Sequence, residues 1–218
     1  CEDLMPSVIS PRGFNQEFNV RAYGAVGDGT ANDRVAFQAC FDAAAAYGTT
    51  NKNALVIIPP GQYKITASGN TVTIGANTTV SAYGAYIFSG ASDFYMFNNY
   101  TGSAAANYTS GNSNIKILGG IWDAVGQSAA NTVGYSIFTI ASSRNITFQK
   151  VTCRNIAGYH AIDLNSVDGV VVESCRFEGY DPNGVVTPEI REAIQIQEVT
   201  TSPCKNVRVI GNYMGAEP

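Results

Sequence analysis

The chain is 218 residues long, 45% hydrophobic, and carries a formal net charge of −4. That size and apolar content suit one domain with a substantial core and exclude disorder. No Lys/Arg cluster supplies the footprint of a nucleic-acid partner, and no apolar run approaches the roughly 18 residues of a membrane-spanning helix.

Charged residues make up only 14%, against 22 Gly and 12 Tyr, a balance that favours short strands and tight turns over helices. Residues 1–17, with Pro6 and Pro11, read as an irregular arm or linker, and residues 18–218 as one domain. Cys1-Glu2-Asp3-Leu4 has neither the basic start nor the apolar stretch of a secretory signal. Residues 18–23 predict a short strand and 24–30 a turn rich in Gly and Asp. From Val35 to Tyr47 the pattern becomes helical, with Phe37 and Phe41 on one face and a run of Ala at 43–46. Asn32 or Asp33 would cap its start and Gly48 would follow its end. Residues 28–33 superficially suggest a calcium loop, but the distal Glu of an EF-hand is missing and the helix cap accounts for Asn32 and Asp33. No cofactor is called for, and calcium is not indicated. Further strands are expected at 55–58, 63–66, 71–74 and 85–88. Residues 98–113 are small and polar and form an excursion, of a length usual for functional or mobile loops.

The second half repeats one design. Residues 136–140 with 145–148, 160–164 with 169–172, and 192–196 with 206–209 each pair two short alternating strands across a polar turn. A weaker copy, 93–97 with 114–117, precedes them. The second strands begin at 114, 145, 169 and 206, at intervals of 31, 24 and 37 residues. Such a period with variable loops marks a solenoid whose coils stack and whose insertions leave one face. The expected fold is all-β: a right-handed parallel β-helix, with the 35–47 helix capping its N-terminal end. The chain stops at Met214–Pro218 just after the last strand pair, without the terminal cap a solenoid needs, so the domain reads as truncated there.

Alternation sorts the faces. Phe138/Ile140, Ile162/Leu164 and Ile194/Ile196 point inward, which stacks Thr139, Asp163 and Gln195 in one outward column and Ala141, Asn165 and Gln197 in the next. On the second strands Thr147, Val171 and Arg208 point outward. The five cysteines, at 1, 40, 153, 175 and 204, form no metal motif. Cys153 and Cys175 read as stacked core thiols, whereas Cys1 with Cys40, or Cys204 with another, could bridge in an oxidising compartment.

Residues 18–33 (FNVRAYGAVGDGTAND), followed by 35–39 (VAFQA) and 57–65 (IIPPGQYKI), resemble the opening of the pectate-lyase-like β-helix superfamily. That superfamily includes phage tailspikes, polysaccharide depolymerases and polygalacturonase relatives. The segments GGIWD at 119–123, GYHAID at 158–163 and REAIQI at 191–196 resemble its coils. The resemblance implies an extracellular or virion-borne protein that binds and cleaves a polysaccharide as hydrolase or lyase, or a non-catalytic adhesin or tailspike module of the same fold. It also implies a parallel homotrimer of the intact protein. The Asn-x-Asp, Asp-Asp and Gly-His-Gly motifs of the polygalacturonase branch do not occur here, nor does the carboxylate cluster with an Arg or Lys base of calcium-dependent pectate lyases.

Glycoside hydrolysis needs two carboxyl groups about 5–5.5 Å apart for retention or about 6.5–9.5 Å for inversion, and coils stacked about 4.8 Å apart can supply either. Asp163 is the best-placed acid, since it lies mid-strand and outward, where propensity disfavours Asp; the alternative is a solvated carboxylate. Glu192 and His160 align at the starts of neighbouring strands and complete the catalytic candidates, against simpler readings as a loop-end charge and a turn residue. Gln195, Gln197, Thr139 and Asn165 are the candidate substrate contacts. Tyr180 and Arg191, at the ends of the 180–191 loop, would wall the groove. Tyr135, Tyr159 and Trp122 are further candidate stacking platforms, although Trp122 aligns with inward Cys153 and reads as core.

Overall fold

The computed structural model describes residues 16–49, 53–66, 71–90, 95–102, 104–125, 136–156, 160–180 and 192–215. In chain order the elements are β1 (Gln16–Asn19), β2 (Asp28–Asn32), α1 (Arg34–Gly48), β3 (Ala54–Ile57), β4 (Gly61–Ile65), β5 (Val72–Thr73), β6 (Thr78–Ser81), β7 (Ala85–Ser89) and β8 (Phe97–Asn98). There follow β9 (Ile115–Leu118), β10 (Ile121–Asp123), β11 (Phe138–Gln149), β12 (Thr152–Ile156), β13 (His160–Glu173), β14 (Arg176–Tyr180), β15 (Glu192–Gln197), β16 (Lys205–Ile210) and β17 (Tyr213–Gly215).

Every ladder between these strands is parallel. One sheet runs β1-β3-β6-β9-β11-β13-β15, with β16 beside β13, β8 beside β11 and β5 beside β8; the other runs β2-β4-β7-β10-β12-β14-β17. The chain therefore alternates between two sheets and adds each new strand at the same growing edge. The expected registers hold: Phe138 pairs with Ile162 and Ile162 with Ile194, while Ile115, Ile146, Val170 and Val207 align in the neighbouring column. Several features differ from the sequence reading: β2 occupies the end of the expected 24–30 turn. The paired short strands of a coil join into single bent strands, β11 and β13, and each coil closes with a further strand such as β12 or β14.

The bends need left-handed backbone. Ser142 and Ser166 both sit at φ 51°. The residue before each second strand does likewise: Asn77 (55°), Asn114 (60°), Asn145 (58°), Gly169 (81°) and Asn206 (52°). Asn tolerates this region better than other residues with a Cβ. Its amides then add a relay up the corner, Asn145 Nδ2 donating to Asn114 Oδ1 (2.9 Å) and Asn114 Nδ2 to Asn77 Oδ1 (2.8 Å).

Inward positions form one apolar core. Phe97, Trp122, Phe138 and Phe148 are fully buried and stack edge-on, Trp122 lying 5.0 Å from Phe97 and 4.9 Å from Phe138 between ring centres. Helix α1 brings Phe37 and Phe41 into this core, where Phe37 meets Tyr63 of one sheet and Phe97 of the other. Its ends differ from the expectation. Asp33 holds the expected N-cap position, but its carboxylate accepts from Val26 N (2.6 Å) and Gly27 N (3.2 Å) rather than from the helix, and it is Asn32 Oδ1 that accepts from Arg34 N (3.2 Å). Gly48 belongs to α1 rather than following it, and a Cβ there would meet Ala76 O at 2.6 Å. In the last coil the inward positions Ile196, Val209 and Met214 stay 43–56% exposed.

Cys153 and Cys175 are buried, as expected of core thiols, and Cys40, Cys153, Cys175 and Cys204 are all free. Burial pushes the Cys40 thiol up to about 12.

Candidate functional site

Asp163 lies mid-strand in β13, between Thr139 of β11 and Gln195 of β15, and the next outward column places Asn165 beside Ala141 and Gln197. The columns are those read from the sequence, but the surroundings are not. Asp163 is only 8% exposed, Thr139 4% and Asn165 7%, so the picture of a solvated carboxylate is corrected.

The cover beside this patch involves the 99–114 excursion, which is pinned to β11. Asn99 accepts from Ala141 N (2.8 Å) and donates to Ala141 O (3.1 Å) and Asn112 O (2.8 Å). Ser142 Oγ donates to Ala105 O and accepts from Ala105 N. The clamp holds Tyr100 where burial, then Tyr95 and the Asp163 charge, push its phenol up. Sequence reasoning flagged the excursion and missed Tyr100 and Asn99; the one available signal was an Asn-Asn-Tyr run directly after an apolar strand.

His160 opens β13 opposite Glu192, which opens β15. His160 Nδ1 lies 2.8 Å from Glu192 Oε2, the imidazole 4% exposed and the carboxylate 46%. Strand alternation puts this pair in the parity of Ile162 and Ile194, whereas Asp163 and Gln195 take the other, yet the charges communicate. Burial lowers the His160 pKa, opposed by Asp163 and Glu192. Burial raises that of Asp163, opposed by hydrogen bonding to Asn165, the His160 charge and Gln197. Gln197 Nε2 donates to Asn165 Oδ1 and, at 3.3 Å, to Asp163 Oδ1.

Several other described acids are committed elsewhere. Glu178, 1% exposed, takes Arg154 Nε at 3.0 Å and Arg176 Nε, and Asp123 accepts from Tyr86 Oη (2.9 Å) and Asn155 Nδ2 (2.9 Å). Asp168 faces Arg144 at 3.7 Å, and Glu173 accepts from Gln149. Asp28 bonds Thr30 N and Ala31 N, both at 2.8 Å, which holds its carboxyl down at about 2. Trp122 is core, its Nε1 donating to Gly119 O (3.0 Å). Arg191, Tyr135, Tyr159, the Tyr180 side chain and the 181–190 loop lie outside the described residues.

Parallel ladders wound about one core, with a polar patch stacked on outward columns, define a protein of the pectate-lyase-like parallel β-helix superfamily. Residues 17–207 match the model of the rhamnogalacturonase A/epimerase, pectate lyase-like family, and the chain belongs to that family. It is 30% identical over 159 residues to mannuronan C5-epimerase AlgE6 of Azotobacter vinelandii, covering 66% of this chain and 17% of that protein. It is 30% identical over 217 residues to plasmin and fibronectin-binding protein A of Streptococcus pneumoniae, covering 88% and 29%. The structure of PfbA, a surface adhesin of Streptococcus pneumoniae, superposes with a TM-score of 0.68 at 25% identity, over 90% of this chain and 49% of that one. The chain thus spans less than a third of these curated relatives. The family is one of carbohydrate-active or carbohydrate-binding β-helices. No helix of the described residues is long and apolar enough to cross a membrane.

Proposed function

We propose that this chain is the site-bearing part of an extracellular protein that acts on an acidic polysaccharide by proton transfer at Asp163, His160 and Glu192. One observation carries the reading: Asp163 is held 8% exposed, mid-strand, with amides and an imidazole as its partners and no cation. Burying an ionisable group is costly, and groups so perturbed cluster where protons are moved.

The roles follow from the environment. A His160 pKa below its ordinary value keeps the imidazole neutral near pH 7, ready to accept a proton. Glu192 at Nδ1 orients the ring and stabilises the imidazolium formed. Burial raises the Asp163 pKa, which makes its carboxyl a better proton acceptor and a group able to share a proton with a sugar carboxylate. Asn165, Gln195 and Gln197 supply amide contacts to the sugar, and the buried Tyr100 phenol borders them. Because Glu192 is engaged by His160, a pair of independent carboxyl groups for hydrolysis is missing from the described patch. The set suits removal of the proton next to a uronate carboxylate. Returning that proton on the other face epimerises the sugar; breaking the C4–O bond to form a C4=C5 double bond cleaves the chain. Similarity to a mannuronan C5-epimerase supports this class.

A glycan-binding adhesin without turnover is the second reading, favoured by the likeness to a surface adhesin. In both readings α1 closes the N-terminal end of the helix, and the intact protein assembles as a trimer.

Incubation with polymannuronate, polygalacturonate and dextran in D2O separates the outcomes. Deuterium at C5 without shortening, or ultraviolet absorbance from the new double bond, is expected. Reducing ends without either would overturn proton transfer at carbon in favour of hydrolysis, and retention without chemistry would leave the adhesin.

A further inference from the structure

The face next to this patch carries a second site. Beyond the bends of β11 and β13, the outward side of the strands opens into a cleft of about 770 Å3. Its floor is one unbroken register column: Thr79 pairs with Lys116, Lys116 with Thr147, Thr147 with Val171, and Val171 with Arg208. One wall is the asparagine corner, whose amides form the relay described above. The relay breaks at Gly169, which has no side chain to offer Asn145; a Cβ there would come within 3.4 Å of Asn145 Oδ1.

Its charge is the opposite of the chain's. The whole sequence has 17 acidic and 13 basic residues, yet Lys116 and Arg208 line the cleft and none of its described lining residues is Asp or Glu. Both cations are exposed and neither enters an ion pair among those described. Three coil steps separate them, about 14 Å at roughly 4.8 Å per step. Between them lie a hydroxyl, Thr147, and an apolar step, Val171, the alternation that a sugar ring with polar edges and a C–H face requires.

The geometry points to this cleft as a binding site for a strand of anionic polysaccharide, separate from the Asp163 patch and running across the coils along the Lys116–Arg208 column. An extended polymer follows the column, its carboxylates or sulfates meeting the two cations and its hydroxyls the asparagine amides. Because β11 and β13 contribute to both faces, a polymer held here lies one bend away from the Asp163 patch and raises the local concentration of the chain it belongs to.

The test uses the whole chain and affinity electrophoresis in gels containing polymannuronate or dextran, at low and high salt. Lys116→Glu combined with Arg208→Glu should weaken polymannuronate retention about tenfold or more at low salt, with the difference shrinking as salt screens it. Thr147→Trp, which fills the cleft and keeps both cations, should weaken retention as well. Both variants should keep the wild-type melting temperature and the wild-type rate on a short oligouronate. Asp163→Asn should retain the polymer normally, so the site stands or falls independently of the proposed chemistry. Undiminished retention in the double variant, an equal loss on dextran, or loss of self-association in place of glycan retention would overturn the assignment.

Discussion

Replacing Asp163 by Asn separates the chemistry of this carboxyl group from its packing. The shape is kept; the charge and the transferable proton go. The side chain is 8% exposed and accepts from Gln197 Nε2 at 3.3 Å, a long bond whose loss costs at most about 0.5–1.5 kcal/mol. Against that loss stands the removal of a carboxylate that burial disfavours. Since the native pKa is raised above the unfolded value of about 3.9, the wild-type group contributes stability that is fully present below the unfolded value. That contribution is lost as pH rises through the native value. The melting temperature of Asp163→Asn relative to wild type should therefore become more favourable as pH rises above about 4, and level off once pH has passed the raised native value. Turnover on the responsive polyuronate should fall about a hundredfold, equivalent to about 2.7 kcal/mol of barrier. Calorimetric melts across that pH range and initial rates by NMR read the two effects separately. Parallel melting curves for the two proteins, or a variant with full turnover, would refute the reasoning.

Phe97→Ala should cost about 3–5 kcal/mol, because its fully buried ring meets Phe37 and Phe41 at 6.4 Å, Phe138 at 5.8 Å and Trp122 at 5.0 Å. At about 2–4 °C per kcal/mol for a chain of this size, thermal melts followed by the single Trp should drop by roughly 6–20 °C; a drop of a degree or two would count against the shared core. Glu178→Gln should lower the melting temperature at neutral pH. Burial raises the Glu178 pKa but the Arg176 and Arg154 contacts outweigh it, so the net shift is downward. Its stabilisation is thus present above the unfolded value of about 4.3 and lost as pH falls through the native one. Melts of the two proteins should converge in acid, and a gap that persists there would show that packing, not charge, is responsible.

The stacking was legible because a wound chain repeats its alternation. Ile146, Val170 and Val207 are apolar for the same reason, and aligning them fixes that Asp163 lies between Thr139 and Gln195. Trp122 beside Cys153 was legible in the same way. What escaped the sequence depends on segments that cross coils without repeating. The excursion that brings Tyr100 within reach of the Asp163 charge is clamped through Asn99 and Ser142, and no periodicity links residue 99 to residue 141. Asp33 looked like a helix cap because Asp before a helix usually is one; it is drawn off by the amides of Val26 and Gly27, a turn whose geometry is set by tertiary packing. The cationic cleft was half visible. Thr147, Val171 and Arg208 were read as one outward column, but Lys116 lies in the weaker fourth copy, and its charge gains meaning only beside Arg208.

Among the described acids, what distinguishes Asp163 is the sign of its surroundings. Glu178 is buried more deeply, yet two guanidinium groups pull its pKa down; its charge is compensated and belongs to the architecture. Asp163 meets Asn165, Gln197 and a histidine whose own protonation burial opposes, and its pKa goes up. A carboxylate held by cations, as Glu178 is, has its pKa pulled down and stays ionised near neutral pH. One held by amides and a neutral imidazole sits nearer to the balance point, where a small change in its surroundings moves the proton. A sugar carboxylate arriving beside Asp163 would add a like charge to a group whose pKa burial already raises, pushing it further in the same direction. The same arrival stabilises an imidazolium at His160, making that ring a stronger base when substrate is bound than when it is absent. Under the proposed function, an acidic substrate would prepare both groups for proton transfer, whereas a neutral glycan in the same place would leave Asp163 and His160 as they stand in the free protein.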